Sequence, residues 1–189
     1  MKKLILGTFV FVIALVAGST NVSAQMMKAD NPMVGGAAMY KTKNIVENAV
    51  NSKDHTTLVA AVQAADLVDT LKSAGPFTVF APTNAAFDKL PAGTVATLVK
   101  PENKAMLTKI LTYHVISGNY DSKAIVKAIR KGRGKAEFTT VSGDKLTARK
   151  SGKSIILMDE KGGKSVVTIS DVRQSNGVIH VIDTVLLPN

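Results

Sequence analysis

The sequence predicts an α+β domain with helices first and hairpins second, and three observations carry that prediction. Between residues 43 and 131, apolar residues recur at helical spacing in several short stripes. Beyond Gly134 the texture changes to β-branched runs, "AEFTTV", "KLTAR", "SIILM", "SVVTI" and "VIHVIDTVLL", separated by Gly-containing turn signals. Two further strands, near residues 79 and 115, are embedded among the helices, and no internal repeat is present.

The N-terminal segment stands apart from this domain. Lys2 and Lys3 precede an apolar stretch from Leu4 to Ala17, and small residues follow up to Val22-Ser23-Ala24. That layout is a secretory signal peptide over residues 1–24, cleaved after Ala24. The 14 apolar residues fall short of the roughly 20 that span a bilayer, and no later segment is long and apolar enough to cross one. Removing Lys2 and Lys3 from the 24 basic residues leaves 22 against 14 acidic ones, a charge of +8. Cysteine is absent, so an exported product must hold together by packing alone, and thiolate metal sites and cysteine nucleophiles are excluded. Residues 25–42 mix Met, Gly, Ala and Pro without a period and read as a flexible leader that docks at most at its end. Its four methionines lack the spacing of a soft-metal site.

The domain proper is expected over residues 43–189. Ile45, Val46, Ala49 and Val50 form one helical stripe; Asp54 is placed to cap a second helix carrying Leu58, Val59 and Val62; Leu67 and Leu71 carry a third. Gly75-Pro76 ends the run. Each helix is too short to persist alone in water, so all must pack. "PFTVFAP" is a strand bounded by prolines, and Thr83 then caps a short helix presenting Phe87 and Leu90. Pro101-Glu102 opens a helix with Met106, Leu107, Ile110 and Leu111 on one face. "YHVIS" reads as a strand, and Asp121 or Ser122 starts a helix over "DSKAIVKAI". In the β half, Asn176-Gly177 is the strongest hairpin signal, because both turn positions favour positive φ.

Three segments, "FTVFAPTNAAFDKL", "LTYHVISGNY" and "NGVIHVIDTVLLP", resemble in order and separation the first hallmark, the Tyr-His segment and the second hallmark of the fasciclin domain. The resemblance covers about residues 40–188. It implies a wedge of two β-sheets with several short helices packed along one edge, and an adhesion or matrix module rather than an enzyme. It also places Tyr113 and His114 in a segment implicated in adhesion as well as in packing, the structural role being favoured, and implies a recognition role for Asp171 and Val172. The last pair occupies the place of an Asp-Ile pair that contributes to integrin recognition in animal members. Valine stands here for isoleucine, which weakens that carry-over. Thr83, Phe87, His180 and Asp183 fall in the hallmark segments and are expected to be structural.

His180 and Asp183 lie in an apolar strand and point to opposite faces, since side chains alternate. Val178 and Ile182 share one face and Ile179 and Val181 the other, so both faces should be covered. A histidine in such a strand is expected neutral with its ring nitrogens satisfied; catalysis or ligation is the alternative. If Tyr113 and His114 are strand neighbours, one belongs in the core and the other nearer solvent. His55, after the presumed cap, reads as an exposed first-turn residue. The three histidines show no short-range metal spacing, no Gly-x-Ser-x-Gly elbow is present, and no cofactor motif appears. Asp159 and Glu160 sit in a Gly-rich hairpin tip as solvated carboxylates.

The main charge feature is basic. Lys123, Lys127, Arg130, Lys131, Arg133, Lys135, Lys145, Arg149, Lys150 and Lys153 face only Glu137 and Asp144 between residues 123 and 153. Such a flank is either a solvated face or a landing site for an anionic surface polymer. One aromatic, Phe138, gives no stacking platform for bases, and export argues against nucleic acid as the partner. The leading expectation is an exported, non-enzymatic adhesion or matrix module, periplasmic or extracellular. It would bind a protein or anionic glycan through Asp171, Val172, Tyr113 and His114 and the cluster Arg130, Lys131, Arg133 and Lys135. The alternative is a carrier holding a small lipophilic ligand between helices and sheet, a hydrolase being a third reading.

Overall fold

The computed structural model describes residues 31–189, which form one compact unit. The signal peptide expected over 1–24 and the leader residues 25–30 lie outside the described residues.

The rest of the expected leader is not loose. Met33–Val34 (β1) and Ala37–Ala38 (β2) form a small hairpin, and Val34 and Met39 are buried in the main core. Gly35 turns the chain at positive φ, and a Cβ there would lie 2.2 Å from Ser52 Oγ. A two-residue strand leaves no period to read, which is why the sequence suggested a flexible segment.

Six short helices follow in the first part of the domain. Ile45–Ala49 (α1) carries an N-terminal capping box: Asn44 accepts from the Glu47 N–H while the Glu47 side chain accepts from the Asn44 N–H. Thr56–Ala64 (α2) is not capped by Asp54, as the sequence suggested. Lys53–His55 form a turn of 3₁₀ helix, and Asn84 caps α2 from a distance, accepting from the Thr57 N–H and donating to the Lys53 carbonyl. Val68–Lys72 (α3) follows, and Asn84–Phe87 (α4) is capped by Thr83, whose hydroxyl accepts from the Ala86 N–H. Thr94–Leu98 (α5) has no counterpart in the sequence reading. Lys104–Tyr113 (α6) buries Leu107, Ile110 and Leu111 but turns Met106 outward, 58 % exposed. The helix also runs two residues further than expected, so Tyr113 and His114 belong to its C-terminal end and not to a strand.

Seven strands make one ribbon: Phe77–Pro82 (β3), Val115–Ser117 (β4), Lys135–Thr139 (β5), Lys145–Ser151 (β6), Ser154–Met158 (β7), Lys164–Gln174 (β8) and Gly177–Ile182 (β9). Their spatial order is β4-β3-β9-β8-β7-β6-β5, and only the β3–β9 pair is parallel. β8 belongs to both halves. Lys164–Val166 pair with β7 and Val167–Gln174 with β9, with two register slips between Val167 and Val172. Asp171 takes φ 63° there, in the left-handed region. The result is an α+β wedge of two sheet halves with these six helices against one side.

Two cores fill it. Alternate residues of the central strands, Val79 and Ala81 with Ile179 and Val181, pack under α1 to α6. Their neighbours Phe80 and Ile182 face the second core, which Ala136, Phe138, Leu146, Ala148 and Leu157 complete from the other half. Ser122–Lys131 (α7) closes that core with Ile125 and Ile129. β9 is buried along its whole length, as expected for a strand covered on both faces.

The β8–β9 hairpin exists, but its turn is Ser175–Asn176, one residue earlier than the Asn-Gly signal indicated, and neither Asn176 nor Gly177 adopts positive φ. Both have other duties. A Cβ on Gly177 would lie 2.1 Å from the Phe77 carbonyl oxygen, so the parallel approach of β3 requires glycine. The Asn176 side chain accepts from the Ile45 N–H at 3.0 Å and donates to the Leu71 and Ser73 carbonyls at 2.8 and 2.9 Å. It thereby clamps the start of α1 and the end of α3 to the hairpin.

Candidate functional site

Asp171 and His180 meet at the entry to α7. Asp171 accepts from the Ser122 N–H at 2.6 Å and from the Ser122 hydroxyl. His180, fully buried, donates from Nε2 to the Tyr120 carbonyl at 2.8 Å and accepts at Nδ1 from the Asp171 N–H at 3.4 Å. Thr78 holds the preceding peptide, accepting from the Tyr120 N–H and donating to the Gly118 carbonyl. Asp121 caps α7 through the Ala124 N–H and pairs with Arg173 at 3.1 Å. The Ala124 N–H, more than Arg173, holds the Asp121 carboxyl below its usual range. Burial lowers the pKa of His180, only partly offset by the Tyr120 carbonyl and by Asp171 and Asp121, so the ring is a neutral Nε2–H tautomer. His180 and Asp183 share no hydrogen bond. Asp183 accepts from the Val166 N–H at 2.8 Å and from Ser165, and meets Lys89 at 3.4 Å. Partial burial pushes the Asp183 carboxyl up, but Val166, Thr184 and Lys89 together outweigh it and lower the pKa.

Val172, Tyr113 and His114, recognition residues by resemblance, are all buried and offer no surface to a partner. Tyr113 and His114 are not split between core and solvent, because a helix end does not alternate as a strand does. The Tyr113 hydroxyl donates to the Lys145 carbonyl at 2.7 Å. Burial, with Asp159 and Glu160 nearby, raises its pKa. His114 donates from Nδ1 to the Ile110 carbonyl at 2.8 Å and accepts at Nε2 from the Leu186 N–H at 3.1 Å. Burial pushes its pKa down to about 4, against weaker opposing effects of the Ile110 carbonyl and Asp159. His55, expected at the surface, is 3 % exposed, with Nδ1 against Ser52 Oγ at 2.9 Å. Burial lowers its pKa as well, the Ala81 backbone and Asp54 offsetting part of the effect. The hairpin-tip carboxylates are also engaged: Asp159 accepts from the Gly163 and Leu187 N–H groups, and Glu160 from the Lys145 N–H and the Asn189 side chain. Thr83 and Phe87 hold α4, Phe87 within the main core.

The basic stretch is exposed but does not form one surface. On α7, Lys123, Lys127, Arg130 and Lys131 lie opposite the buried Ile125 and Ile129. On the sheet, β5 and β6 pair Lys135 with Arg149 and Thr139 with Lys145, and these residues alternate with the buried Ala136, Phe138, Leu146 and Ala148. Arg133 stands at φ 54° in the turn between. Of the ten cations, only Lys135 and Lys145 have a carboxylate within reach among the described residues, both on Glu137 at 3.0 and 3.8 Å; the other eight have none.

A second feature was missed as a specific site. A cavity of about 210 Å³ lies between α1, α2, α3 and the sheet, lined by Val46, Leu58, Val62, Leu67, Val79 and Ile179 among others. Its wall includes Val50 and Val141, both substantially exposed, so it reaches the surface. The sequence signal is a Met- and Val-rich interior, indistinguishable from ordinary core.

Comparison with known proteins bears on this geometry. The family model described as "Fasciclin domain" matches residues 53–188. Protein sll1483 of Synechocystis sp. is 49 % identical over 157 residues, covering 82 % of this chain and 79 % of its own. The immunogenic protein MPB70 of Mycobacterium bovis is 41 % identical over 145 residues, covering 74 % of this chain and 66 % of its own. The structure of a FAS1 domain pair from the insect cell adhesion molecule Fasciclin I aligns with a TM-score of 0.66 at 20 % identity, over 75 % of this chain and 50 % of that one, and so shares the fold. Among the described residues no helix is long and apolar enough to cross a membrane. The capped α4 after β3, the Tyr-His helix end and the buried closing strand β9 thus agree with sequence similarity over most of the chain: it belongs to the fasciclin domain family.

Proposed function

We propose that the protein is an exported, non-enzymatic adhesion or matrix module that holds an acidic glycan or acidic protein surface electrostatically. One observation carries this reading: eight exposed cations between residues 123 and 153 have no carboxylate within 4 Å among the described residues. Unneutralised charge of one sign raises the local concentration of an anionic polymer and speeds its capture, and salt weakens both effects. A non-catalytic role is favoured by the histidines, each buried and neutral. His180 is enclosed at the entry to α7. His55 and His114 line the cavity under α1 to α3, but their side-chain partners among the described residues are Ser52, the Ile110 carbonyl and the Leu186 N–H, with no carboxylate to make either a base. Asp171 enters this reading indirectly, as the anchor that holds the basic helix on the body. The test is retention of the mature protein on an immobilised acidic polysaccharide across a salt series. Retention should fall steeply between 50 and 300 mM salt, and salt-independent retention or none would refute the proposal.

The cavity under α1 to α3 favours a second reading, a carrier of a small lipophilic molecule. Organic extraction of the native protein followed by mass spectrometry tests it. A Val62→Trp variant should lose any extracted compound while remaining folded, and an empty extract would count against the carrier role.

A further inference from the structure

We infer that the protein is a bridge: its two basic surfaces face away from each other and engage two separate acidic chains at once. The inference rests on the electrostatic reading above and adds its geometry. At 100° per residue, the centre of Lys123, Lys127, Arg130 and Lys131 on α7 lies about 165° from that of Ile125 and Ile129. That apolar side is seated on the core-facing side of β5 and β6, against Ala136, Phe138 and Ala148. Lys135, Lys145 and Arg149 alternate with those same residues and therefore leave the sheet on its other side. Helix cations and sheet cations are thus separated by the full thickness of one helix and one sheet layer. A single straight polymer segment cannot lie on both.

The sheet side shows a further sign that its charge is kept for something other than stability. Lys135 and Arg149 are directly opposed across β5 and β6, an arrangement that destabilises a strand pair, and Glu137 reaches only Lys135 and Lys145. Among the described residues no helix covers this side, and Thr147, Ile156, Met158 and Val166 stay partly exposed beside the cations. On α7 the four cations span about 12 Å along the axis, and Lys123, Lys127 and Arg130 rim a shallow, open depression over Ser122 and Val126, so the charge runs as a row along the helix. A row suits a partner that is itself a linear array of carboxylate or sulfate groups, so the occupant of each side is an acidic polysaccharide. Folded acidic proteins would require shape complementarity that neither side supplies.

The experiment uses the mature protein with hyaluronate in two lengths. A short hyaluronate oligosaccharide, titrated by calorimetry at low salt, should bind two per protein. Long hyaluronate should be cross-linked, seen as a rise in light scattering that salt reverses. A helix variant, Lys127→Gln with Arg130→Gln and Lys131→Gln, should bind one oligosaccharide and lose cross-linking. A sheet variant, Lys135→Gln with Arg149→Gln, should do the same. Each keeps its circular dichroism and unfolds no earlier than the wild type, since only exposed side chains change and the sheet variant also relieves an opposed pair of cations. One oligosaccharide per wild-type protein, or undiminished cross-linking by either variant, overturns the bridge while leaving single-surface binding intact. No binding of either length by the wild type overturns the bridge and the electrostatic reading together.

Discussion

Acid should destabilise the protein well above the pH at which its carboxylates titrate, and His114 gives the effect a magnitude. Burial lowers its pKa from 6.5 to about 4 in the folded chain, while the unfolded chain returns to the ordinary value. Because the folded value is the lower, the unfolded state binds the proton first. The stabilisation is complete above pH 6.5, declines as pH falls towards 4, and levels off below. At about 1.4 kcal/mol per pH unit the loss is about 3 kcal/mol, a large share of a typical domain's 5–15 kcal/mol. His55 and His180 are shifted the same way by the same cause and add to it. The assay is urea unfolding from pH 7.5 to 4.5 for the wild type and His114→Gln. The variant should start less stable, because the Ile110 carbonyl and Leu186 N–H lose their shared partner, yet decline by about 2.5 kcal/mol less over the range, which stops short of the folded pKa. Parallel declines, or an NMR titration of His114 centred near 6.5, would refute the reasoning.

Two other perturbations test the architecture. Asn176→Ala removes three hydrogen bonds and strands the Ile45 N–H and two carbonyls at a buried junction; unfolding free energy should fall by about 2–4 kcal/mol in urea titration. Asp171→Ala removes both contacts to Ser122 and should cost about 1–2 kcal/mol locally, so amide exchange in α7 should quicken roughly tenfold while β3 and β9 keep their protection.

What the sequence made legible was local. α7 could be read because Asp121 caps it and Ile125 and Ile129 recur one turn apart, and β9 because both of its faces are apolar. His55 was misread because its burial depends on Ser52 and on Asn84, which caps the neighbouring helix from the other end of β3. Asn176 was read for its backbone preference, whereas its side chain does the work through residues 103 to 131 positions away. The parallel β3–β9 pair joins Phe77 to Gly177, and no turn signal announces a pairing across such a distance. The basic stretch looked continuous because sequence order does not reveal that α7 folds back under the strands that follow it. Of the candidate recognition residues, Val172, Tyr113 and His114 proved to be interior, since a family motif can mark packing as readily as contact.

The sharing of β3 and β9 between both cores has a consequence for how the molecule comes apart. Odd-numbered positions of these strands serve one interior and even-numbered positions the other, so sliding either strand by one residue would invert both at once. Neither half can therefore melt while its twin stays native, and denaturation should be a single all-or-none event despite two distinct interiors. Assembly carries the corresponding penalty: nothing is secure until the most distant pairing has closed, which makes folding slow for a chain of this size.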